Sequence, residues 1–368
     1  MKMNEKELFY LLVLQKTQNI GTITAKKLIV HSGGVIPVFE KSKKELQKIT
    51  GIGTFALHNL HDKATFKAAE KELRYIQENH IRYTSFLMDN YPKNLNHCVD
   101  APLVLFYDGN IHFEKQPVIS IVGTRNMTSY GRDFIKKLME EIKVYNPIIV
   151  SGFAYGVDIT AHKAAINQHL QTIGILANGL DNMYPKKHTK YVHKVLENGG
   201  FYTEYWHDVI PVREYFLQRN RIIAGLSEAT IIVESARKGG SLVTANIANS
   251  YNRDVFAVPG RVTDTYSKGC NNLIRTNQAA LLHEAKDLAY ILNWEQKKTK
   301  KSIQPELFIN LTGDAETVYN YLQENGKTSI DNVSLACKIP VYKLSGVLLN
   351  LELQGLVRPL PGKTFEII

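Results

Sequence analysis

The chain has 368 residues, 44% hydrophobic and 22% charged, enough for two or three domains with full cores. Its net charge of +10 suggests a polyanionic partner. No stretch approaches the roughly 20 apolar residues that span a bilayer, and Cys98, Cys270 and Cys337 show no disulfide or zinc spacing. A cytoplasmic, reducing compartment is expected, without membrane contact.

In chain order, the apolar run Leu8–Leu14 follows Glu5 and Glu7 and precedes no small-residue cleavage site, so it reads as one buried helix face. Residues 1–80 read as helices with short turns. Two turns, Ile20-Gly21-Thr22 and Thr50-Gly51-Ile52-Gly53, precede helical patterns over Ala25–Val30 and Phe55–Leu60. Glycine-hydrophobic-glycine between helices is a helix-hairpin-helix pattern, as in SAM-like all-helical domains. Such a turn presents backbone N–H groups to a phosphate, or is an ordinary turn of a bundle. Residues 81–105 read as a connecting stretch with a turn at Tyr91-Pro92.

The pattern then changes. The apolar runs Val118–Val122, Ile148–Val150, Thr172–Leu176, Thr230–Val233 and Val255–Val258 alternate with helical segments. That pattern predicts an extended, doubly wound α/β domain of the Rossmann kind over 81–295, built on a buried parallel sheet. Residues 296–308 read as a charged linker. Helices over Ala315–Glu324, Ile330–Cys337 and Val341–Gln354, then two strands around Pro361-Gly362, predict a winged helix over 309–368. Residues 1–80 carry 13 Lys and Arg against 8 Asp and Glu, whereas 309–368 carry 5 against 6. The cationic excess therefore lies in the first two thirds.

In open α/β sheets ligands bind beyond the carboxyl ends of the strands, and the unusual residues gather there. The first run ends in Gly123-Thr124-Arg125, followed by Ser129-Tyr130-Gly131 and a helix. Glycine admits a phosphate to the backbone, the helix start offers free N–H groups, and Arg125 adds a bidentate cation. The second run ends in Ser151-Gly152, with Asp158 as a helix N-cap or a site residue and His162 as a structural histidine. Phe216, Arg219, Asn220 and Arg221 combine a stacking ring with two arginines. One of these arginines alternatively pairs with a core carboxylate such as Glu234. Lys238-Gly239-Gly240-Ser241, with Thr244, forms a phosphate cradle without the Gly-Lys-Ser/Thr ending of a Walker A loop. Pro259-Gly260-Arg261 closes the set. No catalytic triad, paired carboxylates or metal cluster accompanies it, so no enzyme activity, metal or cofactor is expected.

These motifs, with Gly156-Val157-Asp158, Gly179-Leu180-Asp181, Tyr184-Pro185 and Asn272-Leu273-Ile274, resemble the DNA-processing protein A (DprA/Smf) family over essentially the whole chain. The resemblance implies a dimeric binder that coats single-stranded DNA, shields it from nucleases and loads the RecA recombinase during natural transformation. It also implies that Arg125 and the Gly123 turn hold phosphate. Arg213, Phe216 and Arg219 would line the strand's path, and Gly240-Ser241 would close the pocket. Two positions depart from the family pattern: Tyr155 stands where arginine is usual, and Arg261 where serine is common. The domain also resembles nucleotide-cleaving phosphoribohydrolases, but their catalytic glutamate position falls on Asn246. A third reading is a protein-interaction module built around the winged helix.

Overall fold

The computed structural model describes residues 3–114, 116–294, 311–360 and 362–367. The expected linker, 296–308, lies outside the described residues. The chain divides into two compact units, Met1–Lys297 and Lys298–Ile368.

The first unit is built on a nine-stranded sheet. Its strands are β1 (Arg82–Ser85), β2 (Val104–Gly109), β3 (Val118–Val122), β4 (Ile148–Ser151), β5 (Thr172–Ile175), β6 (Gly199–Thr203), β7 (Ala229–Ile232), β8 (Asp254–Ala257) and β9 (Ala280–Leu281). Their order is β1-β2-β6-β5-β4-β3-β7-β8-β9. From β6 to β9 all neighbours are parallel, while β1 and β2 add an antiparallel edge. The central strands are buried on both faces, which is why they read as continuous apolar runs. In β3, Val118 and Val122 face one core with Ile148 and Ile173, and Ile119 and Ile121 face another with Ile149 and Ile231. The chain winds outward from β3 in both directions, with β4 on one side and β7 on the other. That reversal opens a crevice at the carboxyl ends of these strands.

Two expectations are corrected here. The stretch 81–105 is more than a connection, since it supplies β1 and the start of β2. Strand β6 was also not foreseen. It opens with Gly199-Gly200, where a Cβ on Gly199 would lie 1.9 Å from the Thr172 carbonyl and one on Gly200 2.0 Å from that of Asp108. Glycine is present because neighbouring backbones pass too close for a side chain.

The N-terminal helices belong to the same unit. Glu5–Lys16 starts with a capping box between Asn4 and Glu7, and Lys63–Glu78 is capped by Asp62. Their core residues Leu11, Leu12, Leu28 and Ile76 join Val104, Phe106 and Trp206 of the sheet domain in one cluster. Glu72 accepts a hydrogen bond from the His207 backbone N–H at 3.1 Å and meets its Nδ1 at 2.5 Å, and Tyr75 stacks on the same imidazole at 3.7 Å.

The second unit has the winged-helix arrangement. Helices Asp314–Asn325, Ile330–Cys337 and Val341–Leu353 pack around Val318, Leu322, Val333, Leu344 and Leu348. Strands β11 (Val357–Leu360) and β12 (Thr364–Ile367) form the wing. The two-residue β10 (Thr328–Ser329) pairs on the free side of β12.

Candidate functional site

The crevice beyond β3, β4 and β7 has a volume of about 680 Å³. Its walls are strand-end loops that touch backbone to backbone. Gly156 has φ +76°, and a Cβ there would lie 2.2 Å from the Thr124 carbonyl, so only glycine fits. Val157 N–H donates to that carbonyl at 3.2 Å, and Thr124 N–H donates to the Glu234 carbonyl at 2.7 Å. The Glu234 carboxylate accepts from the backbone N–H and hydroxyl of Thr128 at 2.8 and 2.5 Å, fixing the start of helix Ser129–Ile142. Glu234 is therefore not the arginine partner that the sequence suggested.

Helix Arg213–Leu226 brings the aromatic residue and the cations. The Phe216 ring has the Arg125 guanidinium at 5.3 Å and that of Arg219 at 5.9 Å from its centroid. Tyr184 meets Phe216 edge-on at 5.8 Å and remains 40% exposed. Arg125 and Arg213 are exposed cations, whereas Arg219 is buried. Arg219 donates to the carbonyls of Gly152, at 2.7 Å, and Ile175, and its Nε has no partner. Burial pushes its guanidinium down to about 10, and the charge of Asp158 opposes that shift. Burial in turn pushes the Asp158 carboxyl up, with Arg219 as the main counterweight. Arg219 thus braces the crevice floor and supplies positive potential. Arg125 and Arg213 are the cations free to meet phosphate.

The opposite wall is the start of helix Gly240–Ser250. Gly239, Gly240, Ser241 and Thr244 line it, together with Asn220 from the facing helix. Space above Gly240 is open, and the Ser241 hydroxyl donates to that of Ser235 at 2.9 Å. Asn126, Pro211, Leu217 and Tyr184 also line the crevice and were not among the expected site residues. Tyr184 was visible in the sequence as part of Tyr184-Pro185. The others carried no signal.

Several expected residues lie elsewhere. Arg221 points away from the crevice and pairs with Glu204 at 2.6 Å and Asp100 at 4.0 Å. Ser151 is buried and donates to the Ile121 carbonyl at 2.6 Å. Gly152 acts through its carbonyl, beneath Arg219. Ser129, Lys238 and Arg261 are exposed but outside the crevice lining, as is Tyr155, which packs edge-on against His188 at 4.8 Å. The N-cap of helix Val157–Asn167 is Gly156, not Asp158. His162 is buried, with Nδ1 2.7 Å from the Thr172 hydroxyl, and burial pushes its imidazole down to about 3. That environment suits a structural histidine. No metal-binding group of three His, Cys, Asp or Glu occurs among the described residues, and none of their helices is long and apolar enough to cross a membrane.

The crevice therefore combines exposed cations, open backbone turns and a half-buried aromatic ring in its lining, which suits phosphate and a planar group. Its carboxylate, Asp158, is buried, accepts from the Ala154 N–H at 3.4 Å and lies within the influence of the Arg219 charge.

Residues 82–293 match the family model described as DNA recombination-mediator protein A, and residues 304–363 match the DprA winged helix domain. Protein Smf of Escherichia coli (strain K12) is 31% identical over 80% of this chain and 80% of its own length. The X-ray structure of DNA processing protein A from Streptococcus pneumoniae matches with a TM-score of 0.66 at 29% identity, covering 80% of this chain and 99% of that one. DNA processing protein A from Helicobacter pylori, whose structure is described for its single-stranded DNA binding mode, matches with a TM-score of 0.53 at 30% identity. That match covers 59% of this chain and 99% of the other. With a family model spanning more than half of its length, this chain belongs to the DNA recombination-mediator protein A (DprA/Smf) family.

Proposed function

We propose that the crevice grips single-stranded DNA and does no chemistry on it. The protein acts in the cytoplasm as a homodimer, shields the strand and loads the RecA recombinase onto it during natural transformation. The observation that carries this reading is the Phe216 ring lining the crevice, with the Arg125 and Arg219 guanidiniums 5.3 and 5.9 Å from its centroid and Tyr184 at its edge. An unpaired base offers a face to such a ring, whereas a base inside a duplex has both faces stacked. The exposed Arg125 and Arg213 then meet the adjoining phosphates. The single-stranded DNA binding of the Helicobacter pylori relative supports the same ligand here. Binding without hydrolysis is supported by the burial of Asp158 and by Asn246, which is exposed on its helix and outside the crevice lining.

The direct test compares oligo-dT with a duplex of equal length across salt concentrations. The single strand is expected to bind at least about tenfold more tightly, or about 1.4 kcal/mol. Equal affinity at physiological salt would reject the reading. Recombinase loading is tested on DNA already coated with a single-strand binding protein. Filament formation is expected to accelerate when this chain is added, and no stimulation at any ratio would leave a plain DNA coat. Base or phosphate release that disappears in Arg125→Ala would reject the absence of chemistry.

A further inference from the structure

A second cavity, of about 560 Å³, opens at the amino ends of the central strands, opposite the DNA crevice. Val118 at the start of β3, Glu228 just before β7, and Tyr107 and Tyr202 of the paired β2 and β6 line it from the sheet. The segment before β3 closes one side with Phe113 and Glu114. That segment is pinned: His112 N–H donates to Gln171 Oε1 at 2.8 Å, and Gln171 Nε2 donates back to the His112 carbonyl at 2.7 Å.

The charge of this cavity is opposite to that of the crevice. Among the described residues of its lining, Asp89, Glu114 and Glu228 stand against the cation Lys93, in a chain whose net charge is +10. A phosphate backbone is repelled by such a lining, so the cavity is not an extension of the DNA path. Glu228 is partly buried and accepts from Trp294 Nε1 at 2.9 Å, and burial pushes its carboxyl up. The Trp294 bond and the Arg253 charge oppose that shift only in part, and a further cation in the cavity would add to them.

Two further observations narrow the ligand. Tyr202 is only 4% exposed, lines the cavity, and its hydroxyl has no hydrogen-bond partner among the described residues. That hydroxyl faces the cavity and is open to a group that enters it. The Phe113 ring lies nearly parallel to that of Tyr202, at 16° and 6.4 Å between centroids, and Tyr107 leans on Tyr202 at 5.6 Å. Aromatic faces beside carboxylates and a spare acceptor suit a planar, weakly hydrated cation with several N–H donors. A guanidinium has those properties, and an ammonium is neither planar nor weakly hydrated.

We propose that this cavity binds a guanidinium group, stacked on the Phe113 and Tyr202 rings, paired with Glu114 and Glu228, and donating to the Tyr202 hydroxyl. The site shares no residue with the crevice and does not depend on the DNA reading. The test is calorimetric titration of the full chain with N-acetyl-arginine amide and with N-acetyl-citrulline amide, which keeps the shape but lacks the charge. The arginine probe is expected to bind saturably, one per chain, and the citrulline probe at least about tenfold more weakly. Glu114→Gln alters an exposed side chain, and Glu228→Gln and Tyr202→Phe keep side-chain shape. Each glutamine variant is expected to weaken the arginine probe about tenfold, and Tyr202→Phe about threefold. No saturation up to about 10 mM, equal binding of both probes, or unchanged affinity in both glutamine variants would overturn the assignment. Agmatine as a third probe separates the sources: tighter agmatine binding indicates a free small molecule, and tighter blocked arginine a polypeptide side chain. Oligo-dT affinity is expected to stay unchanged in Glu114→Gln, and its loss would overturn the separation of the two sites.

Discussion

On helix Arg213–Leu226 two residues correspond to a turn of about 200°, which sends Arg219 toward the crevice and Arg221 to the opposite side. The sequence Arg219-Asn220-Arg221 displays both as equivalent cations, and only burial and partners tell them apart. Arg221 and Glu204 have side chains 15% and 14% exposed and meet at 2.6 Å. Arg221→Ala leaves Glu204 as an uncompensated buried charge, so the variant is expected to lose about 3–5 kcal/mol in urea unfolding. Oligo-dT affinity of its folded fraction should be unchanged. Arg125 is exposed and makes no ion pair among the described residues, and its guanidinium lies over Phe216. Arg125→Ala should therefore keep its stability, bind all sequences more weakly, and reduce the slope of log affinity against log salt by about 0.7. A folded Arg125→Ala protein with an unchanged slope would remove Arg125 from the phosphate path. Lys238 was equivalent to Arg125 when read from the sequence, but its place outside the lining predicts a slope loss smaller than that of Arg125→Ala.

Among elements, the strands that were legible are those whose residues obey one rule over their whole length. β3, β4, β5, β7 and β8 are apolar because both faces are covered, and each lies within about a residue of its predicted run. β6 broke that rule through Gly199 and Gly200, where the reason for glycine is contact between backbones distant in sequence. The crevice turns were legible for the same reason in reverse. Glycines at strand ends announce close approach, and Gly123, Gly239 and Gly240 do line the site. His162 gives this scale a pH prediction. It sits under β5 against Thr172, buried, with its pKa depressed to about 3 from an ordinary 6.5. The unfolded chain therefore binds this proton more readily than the fold does. Stability from this group is complete above pH 6.5 and falls as pH drops toward 3, by up to about 1.4 kcal/mol per pH unit. Urea unfolding at pH 7.5 and 5.5 should show a smaller pH effect in His162→Gln than in the unaltered chain. An equal effect in both would assign the acid sensitivity to other groups.

For the whole molecule, charge and core divide the chain in the same place. The winged helix has its own cluster, from Val318 to Val357, and was legible because its periodicity needs no partner outside residues 309–368. Those residues carry 5 Lys and Arg against 6 Asp and Glu, and their ion pairs, Lys343 with Asp314 and Arg358 with Glu366, use two of the five cations internally. A DNA groove needs unpaired cations, since each phosphate contact releases a counterion and contributes to the salt slope. The crevice of the first unit has such cations in Arg125 and Arg213, and a ring to stack a base. Deleting residues 309–368 is therefore expected to leave oligo-dT affinity within about twofold and the salt slope unchanged. The measurement is a titration of the truncated chain, with its thermal unfolding compared with that of the full chain to establish that the first unit remains folded. A tenfold or larger loss in a folded truncated protein would place part of the strand on the winged helix. An unchanged affinity would leave that unit for a protein surface, where its near-neutral balance is no handicap.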